Sequence, residues 1–191
     1  MHSAGLDGIF YGVESGSTKI QKSINKYVNL DKVFSIVDYS CKQLSYVNIG
    51  LIYNFPNESL EDFIQTLNLI YQLSKYPTDI IANRLLFFYG TPLYQQYQDQ
   101  LYFKADNGVY KYDFLTQTNL KQIDSKGDYS SLVPSCYVGP TQLPEIVQYI
   151  DIFIVFVQFF KNTTDVLLDY FKQDIWQLYN FIINNSQAKK L

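Results

Sequence analysis

Three short apolar runs, separated by two segments with helical periodicity, are the feature that most constrains the fold of this chain. The runs are GIFYGV at 8–13, VNIGLIY at 47–53 and IIANRLLFFY at 80–89. Parallel strands that are buried on both faces are typically this continuously apolar. The alternation of strand and helix is the β/α rhythm, so the sequence predicts an α/β fold with about three parallel strands.

The segments between the runs carry helix start signals. Ser17 or Thr18 is placed to cap a short helix through Ile24, and Asn29 to cap a longer one. Ser59 and Asp62 have the spacing of a capping box. After each of the caps Asn29 and Ser59, apolar residues recur with a period of 3.6 residues. They are Leu30, Val33, Phe34, Val37, Cys41 and Leu44 in one segment, and Leu60, Phe63, Ile64, Leu67, Ile70 and Tyr71 in the other.

The composition changes after residue 93, which predicts three regions. Residues 1–93 form the α/β part, and residues 94–139 are a Tyr-rich connection with a short helix and irregular structure. Residues 140–191 form a helical region that begins after Pro140 and Pro144. Within it, one helix that is apolar on both faces is predicted to be buried, and a last helix is predicted from Thr163 to Asn184.

Composition excludes several classes of function. Hydrophobic residues make up 47% of the chain, which excludes a disordered protein. The net charge is −3 and Arg84 is the single arginine, so no nucleic-acid partner is expected. One histidine and two cysteines, Cys41 and Cys136, cannot build a zinc site. The longest apolar stretch is too short for a membrane span and no signal peptide precedes it, so a cytoplasmic location is expected.

The predicted strands end in three polar segments, at 14–17, 54–58 and 89–92. Ligands of parallel α/β folds bind at the carboxyl ends of the strands, so these segments are the first place to look for a site. Glu14 could accept hydrogen bonds from ribose hydroxyls or an ammonium group, or it could be a surface charge. Arg84 could bind a ligand carboxylate, or it could pair with Glu14 or Glu58 for structural reasons.

Three ordered motifs in these segments resemble one family. GIFYGVESGS resembles the fourth strand of radical S-adenosylmethionine (radical SAM) enzymes, with Lys26 where the family ends the following helix. IGLIYNFPNESLEDFIQT resembles the family's fifth-strand segment, and RLLFFYGTPLY its sixth strand. The motifs cover about Ala4 to Tyr94, half of the chain, and are most similar to the subgroup that often carries a cobalamin-binding domain.

The resemblance implies a fold and a set of contacts. The fold would be the C-terminal half of a partial (β/α) TIM-like radical SAM barrel, with a C-terminal helical extension. S-adenosylmethionine would lie across the ends of the strands. By position, Glu14 and Ser15 would contact its ribose or methionine part, the backbone from Ile52 to Asn54 its adenine, and Arg84 the methionine or substrate end.

The departures from the family limit what this chain can do alone. The family holds its [4Fe–4S] cluster with a CxxxCxxC loop, which this sequence lacks, and a cluster needs at least three thiolates in one place. No catalytic or metal-ligating residue is therefore assigned. The cluster is expected only together with the missing N-terminal half of the barrel, and cobalamin only in a full-length parent. Asn54 and Asn57 stand where the family has glycines.

Two functions follow as hypotheses. In the first, the chain is a fragment of a radical SAM enzyme that supplies cofactor and substrate contacts and is inactive by itself. Its partner would be the missing half of the barrel, or a second copy bound through the open sheet edge. In the second, the chain is a degenerate, non-catalytic α/β module for protein–protein interaction, with the Tyr94–Tyr137 stretch as its contact surface. The substrate is not predicted.

Overall fold

A parallel sheet of three strands organises the first part of the chain. The structure, a computed structural model, describes residues 4–88, 90–103 and 137–186. The strands are β1 (Gly8–Glu14), β2 (Tyr46–Tyr53) and β3 (Asp79–Arg84), and they lie in the order β1-β2-β3. Both neighbouring pairs are parallel. The predicted α/β fold with three parallel strands is confirmed.

Side-chain caps fix the start of each helix in this part of the chain. The helices are α1 (Thr18–Ser23), α2 (Leu30–Gln43) and α3 (Leu60–Leu73). Ser17 and Asn29 cap α1 and α2, as their spacing predicts. Ser59 and Asp62 form the predicted capping box of α3, in which each side chain bonds the backbone N–H of the other residue.

The third strand is shorter than its apolar run. A strand over 80–89 was expected, with Arg84 in its middle, but β3 ends at Arg84. The register explains the difference, because Arg84 pairs with Tyr53, the last residue of β2. Beyond that pair no strand among the described residues pairs with β3, and the apolar residues Leu85–Phe88 lie outside the sheet.

One face of the sheet packs against the helices. Because parallel crossovers are right-handed, the two connections of an ordered β1-β2-β3 sheet place α2 and α3 on the same face. The strand residues that point to this face are almost completely buried. They are Val13, Val47, Ile49, Leu51, Tyr53, Ile80 and Ala82.

The opposite face, called here the open face, is much more exposed. Its residues alternate with the buried ones and share rows in the register. They are Phe10, Gly12, Asn48, Gly50, Ile52, Ile81 and Asn83. Phe10 is 60% exposed and Ile81 44%. The apolar runs of β1 and β3 predicted that both faces of these strands are buried. The structure shows that only the face toward the helices is buried.

Residues 85–141 form a separate compact unit. Its described elements include α4 (Pro92–Tyr97), a 3₁₀ turn at Gln98–Gln100, and the antiparallel pair β4 (Tyr102–Phe103) and β5 (Tyr137–Val138). Phe87 is buried in it, and its ring packs edge-on against Tyr97 at 5.9 Å. Most of the Tyr-rich stretch lies outside the described residues.

The C-terminal helices complete the first unit, which runs up to Arg84 and resumes at Gln142. A 3₁₀ segment (Glu145–Tyr149) leads into α5 (Ile150–Phe159), and α6 (Lys161–Tyr170) and α7 (Ile175–Asn185) follow. Phe63 of α3 lies in the shared core, with its ring 5.9 Å from Tyr179 and 6.5 Å from Trp176. The helical region predicted for residues 140–191 thus packs into the same core as the sheet.

Two helix predictions in this region were wrong. The single last helix is broken between α6 and α7, where Lys172 and Gln173 have φ values of 52° and 66° that a right-handed helix cannot continue. Asp174 then caps α7. The helix predicted to be buried all round, α5, leaves Val155 53% and Phe159 78% exposed. No single helix in the described ranges has the length and hydropathy of a membrane span.

Candidate functional site

The three strands end at one edge of the sheet, called here the carboxyl edge. It consists of residues 14–17 after β1, residues 54–58 after β2, and Arg84 at the end of β3. Parallel pairing brings these ends together, with Glu14 beside Leu51 and Tyr53 beside Arg84. Polar side chains and backbone groups at such an edge are free of the sheet ladder and can bind a ligand.

Glu14 lies on the open face at this edge. A bulge between Gly12 and Glu14 breaks the register with β2, and Glu14 has a φ of 69°. Its carboxylate forms an ion pair with Lys26 at 3.0 Å. A Cβ on Gly12 would stand 2.6 Å from Glu14 Oε1 and 3.3 Å from Lys26 Nζ, so the ion pair lies above the Gly12 backbone. The absence of a side chain at Gly12 makes room for it.

Ser15 faces the protein interior. It is fully buried, and its hydroxyl lies 3.2 Å from Thr66 Oγ1 and accepts a hydrogen bond from the Ser17 N–H at 3.1 Å. The Gly16 N–H donates to the same Thr66 hydroxyl at 3.0 Å. In this structure the Ser15 side chain attaches the turn to α3, and its predicted contact with a cofactor stays a prediction.

Gln21 is a site residue that the sequence reasoning missed. It is buried, and its side-chain amide donates hydrogen bonds to the carbonyls of Val13 and Ser15, the latter at 2.8 Å. It therefore fixes the backbone on both sides of Glu14. The available signal was its position in the short helix α1, next to the buried Ile20. A buried polar side chain needs hydrogen-bond partners, and here they are the carbonyls of the preceding turn.

The second turn of the carboxyl edge is held by Glu58. Glu58 is completely buried, and its Oε2 accepts hydrogen bonds from the backbone N–H groups of Asn54 at 2.5 Å and Phe55 at 3.1 Å. Asn54 has a φ of 71°, in the left-handed region that asparagine tolerates better than most residues. Burial raises the pKa of Glu58 to about 7, although the two backbone hydrogen bonds oppose the shift.

A polar network joins the two turns. Asp62 accepts hydrogen bonds from the Ser17 hydroxyl at 2.6 Å, the Ser59 hydroxyl at 2.7 Å and the Lys19 ammonium at 2.6 Å. Lys19 also donates to the Asn57 carbonyl at 3.0 Å. Burial favours the neutral acid, but these hydrogen bonds outweigh it and hold the pKa of Asp62 well below its ordinary value. The sequence identified Asp62 as a capping residue only.

The open face next to Glu14 carries Ile52 and Phe10. Ile52 is half-buried and lies in one row with Asn83. The Phe10 ring lies over Gly50, since a Cβ there would stand 2.5 Å from Phe10 Cζ. The Oδ1 atom of Asn48 is shielded from solvent and accepts no hydrogen bond from the described residues. A buried acceptor without a donor is uncommon and costs free energy, so this atom is a destabilising feature of the face.

Arg84 belongs to the other face of the sheet. It follows Ile80 and Ala82 in the row that points to the helices, and it pairs in register with Tyr53. Burial raises the pKa of Tyr53 to about 12, the Asp151 carboxylate adds to the shift, and the Arg84 charge opposes it. The structure thus places Glu14 and Ile52 on the same, open face, whereas Arg84 lies near a buried tyrosine on the opposite side.

The described residues contain no group of three or more His, Cys, Asp or Glu side chains that could hold a metal ion. Cys41 lies on α2, with its Sγ 3.7 Å from the Pro77 carbonyl oxygen. Burial raises the pKa of its thiol, with Asp38 adding to the shift. Cys136 lies outside the described residues.

A cleft of about 370 Å³ opens at the amino ends of the strands, away from the carboxyl edge. Ser45, Thr78, Asp79, Gln158 and Lys161 are among its lining residues. Several of its polar groups are already bonded within the protein: Ser45 to Asp7, and Gln158 to the Thr78 carbonyl. The sequence analysis predicted no site at this end of the sheet.

The chain matches no model of a known protein family, and no curated protein sequence matches it significantly. The geometry of the carboxyl edge and the open face is therefore the basis for assigning a function.

Proposed function

We propose that this chain is the C-terminal half of a radical SAM-type (β/α) barrel and supplies contacts to S-adenosylmethionine and a substrate. The observation that carries the proposal is the open face. Three consecutive parallel strands with their crossover helices on one side leave the other side for a barrel interior. An open sheet wound in both directions would instead place helices on both faces. A cytoplasmic location belongs to the same proposal.

The residues present fit an adenosyl ligand in part. Glu14 offers a carboxylate over the glycine backbone of Gly12, and Ile52 offers an apolar surface on the same face. The Asn54 backbone is held in a fixed conformation beside them. Ser15 supports the turn from the interior, and Arg84 would have to act from the helix-facing row. Of the five predicted contact residues, Glu14, Ile52 and Asn54 support the proposal most directly.

The residues present do not fit an iron–sulfur cluster. Cluster ligation by cysteine requires three or four thiolates in one place. The sequence has two cysteines, 95 positions apart, and Cys41 lies on a helix beside Pro77. No chemical step is therefore assigned to this chain alone. The cluster, and cobalamin in a full-length parent, remain part of the proposal only for the missing half.

The partner in this proposal pairs with the free edge of β1. Within the described residues β1 has a neighbour on one side only, and edge strands recruit further strands. The open face spans three strands about 4.8 Å apart and about 23 Å long, or roughly 330 Å². Stable interfaces bury about 800 Å² per partner. Face-to-face contact between two copies is thus too small, so the proposal keeps pairing at the free edge of β1, either by the missing half or by a second copy.

The test of the proposal is a ligand titration followed residue by residue by NMR. Adding S-adenosylmethionine to the chain should shift the amide signals of Gly12–Ser15 and Ile52–Asn54. Signals at the amino-end cleft, such as those of Thr78 and Asp79, should not move. Adenosine should reproduce the shifts near Ile52, and free methionine should not. Shifts confined to the amino-end cleft, or none at millimolar ligand, would contradict the proposal.

The second candidate is a non-catalytic module for protein–protein interaction. The exposure of Phe10, Tyr46 and Ile81 favours it, because large apolar side chains grouped on one face mark binding surfaces. The Tyr-rich stretch proposed as its contact surface lies mostly outside the described residues. An interaction module would bind its partner equally well with and without S-adenosylmethionine, which separates it from the first candidate.

A further inference from the structure

Glu58 is the one carboxylate at the carboxyl edge that is completely shielded from solvent. It lies between β2 and α3, four residues after Asn54. Its Oε2 atom accepts hydrogen bonds from the Asn54 and Phe55 N–H groups, and its own N–H donates to the Phe55 carbonyl at 2.9 Å. The Glu58 side chain therefore bonds two successive amides of the turn.

The second carboxyl oxygen of Glu58 has no such role. Oε1 is buried and accepts no hydrogen bond from the described residues. The charged groups that act on Glu58 are Asp62 on α3, which disfavours its negative charge, and Lys19 on α1, which favours it. The Glu58 charge also disfavours ionisation of the Tyr53 hydroxyl at the end of β2. Lys19 itself is bonded to Asp62 and to the Asn57 carbonyl, so its charge is shared.

An ionised Glu58 in this position would be a buried negative charge with one oxygen unsatisfied, which is a costly arrangement. A neutral Glu58 avoids the larger cost, that of the buried charge, and carries its proton on Oε1 because Oε2 already accepts two N–H groups. An ionised Glu58 gains most by leaving the interior for water. Leaving breaks both hydrogen bonds to the turn.

We infer that Glu58 is a proton-operated latch on the turn between β2 and α3. With a proton on Glu58 the turn at residues 54–58 is closed, and loss of the proton favours an open turn with a hydrated carboxylate. Because this turn is part of the carboxyl edge, the latch sets how often the backbone of Asn54 and Phe55 is exposed near neutral pH. The inference concerns the chain by itself and does not depend on the proposed cofactor.

The direction of the pH effect follows from linkage. The closed turn holds the Glu58 pKa at about 7, whereas an open turn returns it to its ordinary value of 4.5. Between these values the open form has lost its proton and the closed form has kept it, so each rise of one pH unit favours opening about tenfold. Below about pH 4.5 and above about pH 7 the opening equilibrium is flat. The whole change is roughly 300-fold, of which on the order of 100-fold falls between pH 4.5 and pH 7.5.

Amide hydrogen exchange measured by NMR tests the latch directly. In the unmodified chain, the protection of the Asn54 and Phe55 amides, corrected for intrinsic exchange, should fall on the order of 100-fold between pH 4.5 and pH 7.5. Ile49, in the middle of β2, should show no such fall. In Glu58→Gln, which is neutral at every pH and can accept the same bonds, protection should stay within about threefold.

Glu61→Gln is the matched control, because Glu61 is an exposed carboxylate in the first turn of α3. It should retain the full pH dependence. Protection that does not change with pH in the unmodified chain, or that changes equally in Glu58→Gln, would overturn the latch. If Glu58→Gln does not fold, the carboxyl ¹³C shift of Glu58 in the unmodified chain decides. A midpoint near pH 7 supports the latch, and one near pH 4.5 excludes it.

Discussion

The Phe10 ring lies on the backbone of Gly50, in the neighbouring strand, and covers the middle of the open face. A Cβ at position 50 would stand 2.5 Å from Phe10 Cζ, although Phe10 is 60% exposed and can turn away. A Cβ at Gly16 would instead stand 2.5 Å from the Gln65 carbonyl oxygen of α3, which cannot move independently.

The surroundings of Gly50 and Gly16 predict that substitution by alanine destabilises the fold by different amounts at the two positions. Gly50→Ala should lower the free energy of unfolding by at most about 1 kcal/mol, and Gly16→Ala by about 3 kcal/mol. Urea unfolding of both variants and the unmodified chain measures the difference. Adding Phe10→Ala should remove the cost of Gly50→Ala. Equal costs at the two glycines would show that the turn after β1 is not packed against α3 as described.

Asp62 should stabilise the fold in a pH-dependent manner. Its pKa is held below the ordinary value of 3.8, so its contribution is complete above that value and is lost as the pH falls through the lower folded value. Asp62→Asn should cost about 2 kcal/mol at pH 7, and its stability should fall less than that of the unmodified chain between pH 4 and pH 2. Asp38→Asn, at an exposed ion pair with Lys42, is the control and should change little.

Glu58 should affect global stability in the opposite direction. Its folded pKa of about 7 lies above the ordinary 4.5, so its contribution is complete below pH 4.5 and is lost as the pH rises through 7. Glu58→Gln should therefore match the unmodified chain at pH 4 and be more stable by roughly 3 kcal/mol at pH 8. Chemical denaturation at the two pH values checks this. A variant that is less stable than the parent at pH 8 would refute it.

The C-terminal helices should contribute to the core that covers the sheet. Tyr179 is fully buried, packs against Phe63 and Phe153, and donates its hydroxyl to the Ile146 carbonyl at 2.8 Å. Tyr179→Phe should cost about 1 kcal/mol and Tyr179→Ala about 4 kcal/mol in thermal or urea unfolding. Tyr170→Ala, at a side chain that is 77% exposed, should cost less than about 0.5 kcal/mol.

Under the proposed function, the ion pair above Gly12 should compete with ligand binding. Glu14→Gln should weaken S-adenosylmethionine binding about tenfold, because one charge-assisted hydrogen bond is lost. Lys26→Met releases the Glu14 carboxylate and should not weaken binding. Isothermal titration of both variants measures the effects. Unchanged affinity in Glu14→Gln would remove Glu14 from the site without bearing on the Glu58 latch.

Local signals in the sequence predicted most of the fold in residues 4–84. Caps such as Asn29 and Ser59 act within one turn of a helix, so their spacing is sufficient to place the helix start. The end of β3 could not be predicted in this way. It depends on the partner of Arg84 in β2, and the residues after it are as apolar as the strand itself. The break at Lys172 was missed because its left-handed backbone carries no glycine.

The site was only partly predictable for a similar reason. Glu14 and Ile52 were placed correctly at the carboxyl ends of their strands, since strand polarity alone decides that. Which face Arg84 occupies depends on the register of β3, and the exclusion of Glu58 from water depends on tertiary packing. Gln21 donates to two carbonyls that precede its own helix. Such side chain–backbone contacts have no periodic signature.

The first unit is assembled from two separate stretches of chain, with residues 85–141 between them. Phe63 is synthesised more than 100 residues before Trp176 and Tyr179, the aromatic rings that cover it. Domains generally fold as units during synthesis. This unit cannot complete its folding until α7 has left the ribosome. Until then, the apolar side of α3 that packs on Trp176 and Tyr179 is exposed to solvent. A premature stop codon before Trp176 would leave that side permanently exposed and direct the product to chaperones or proteases.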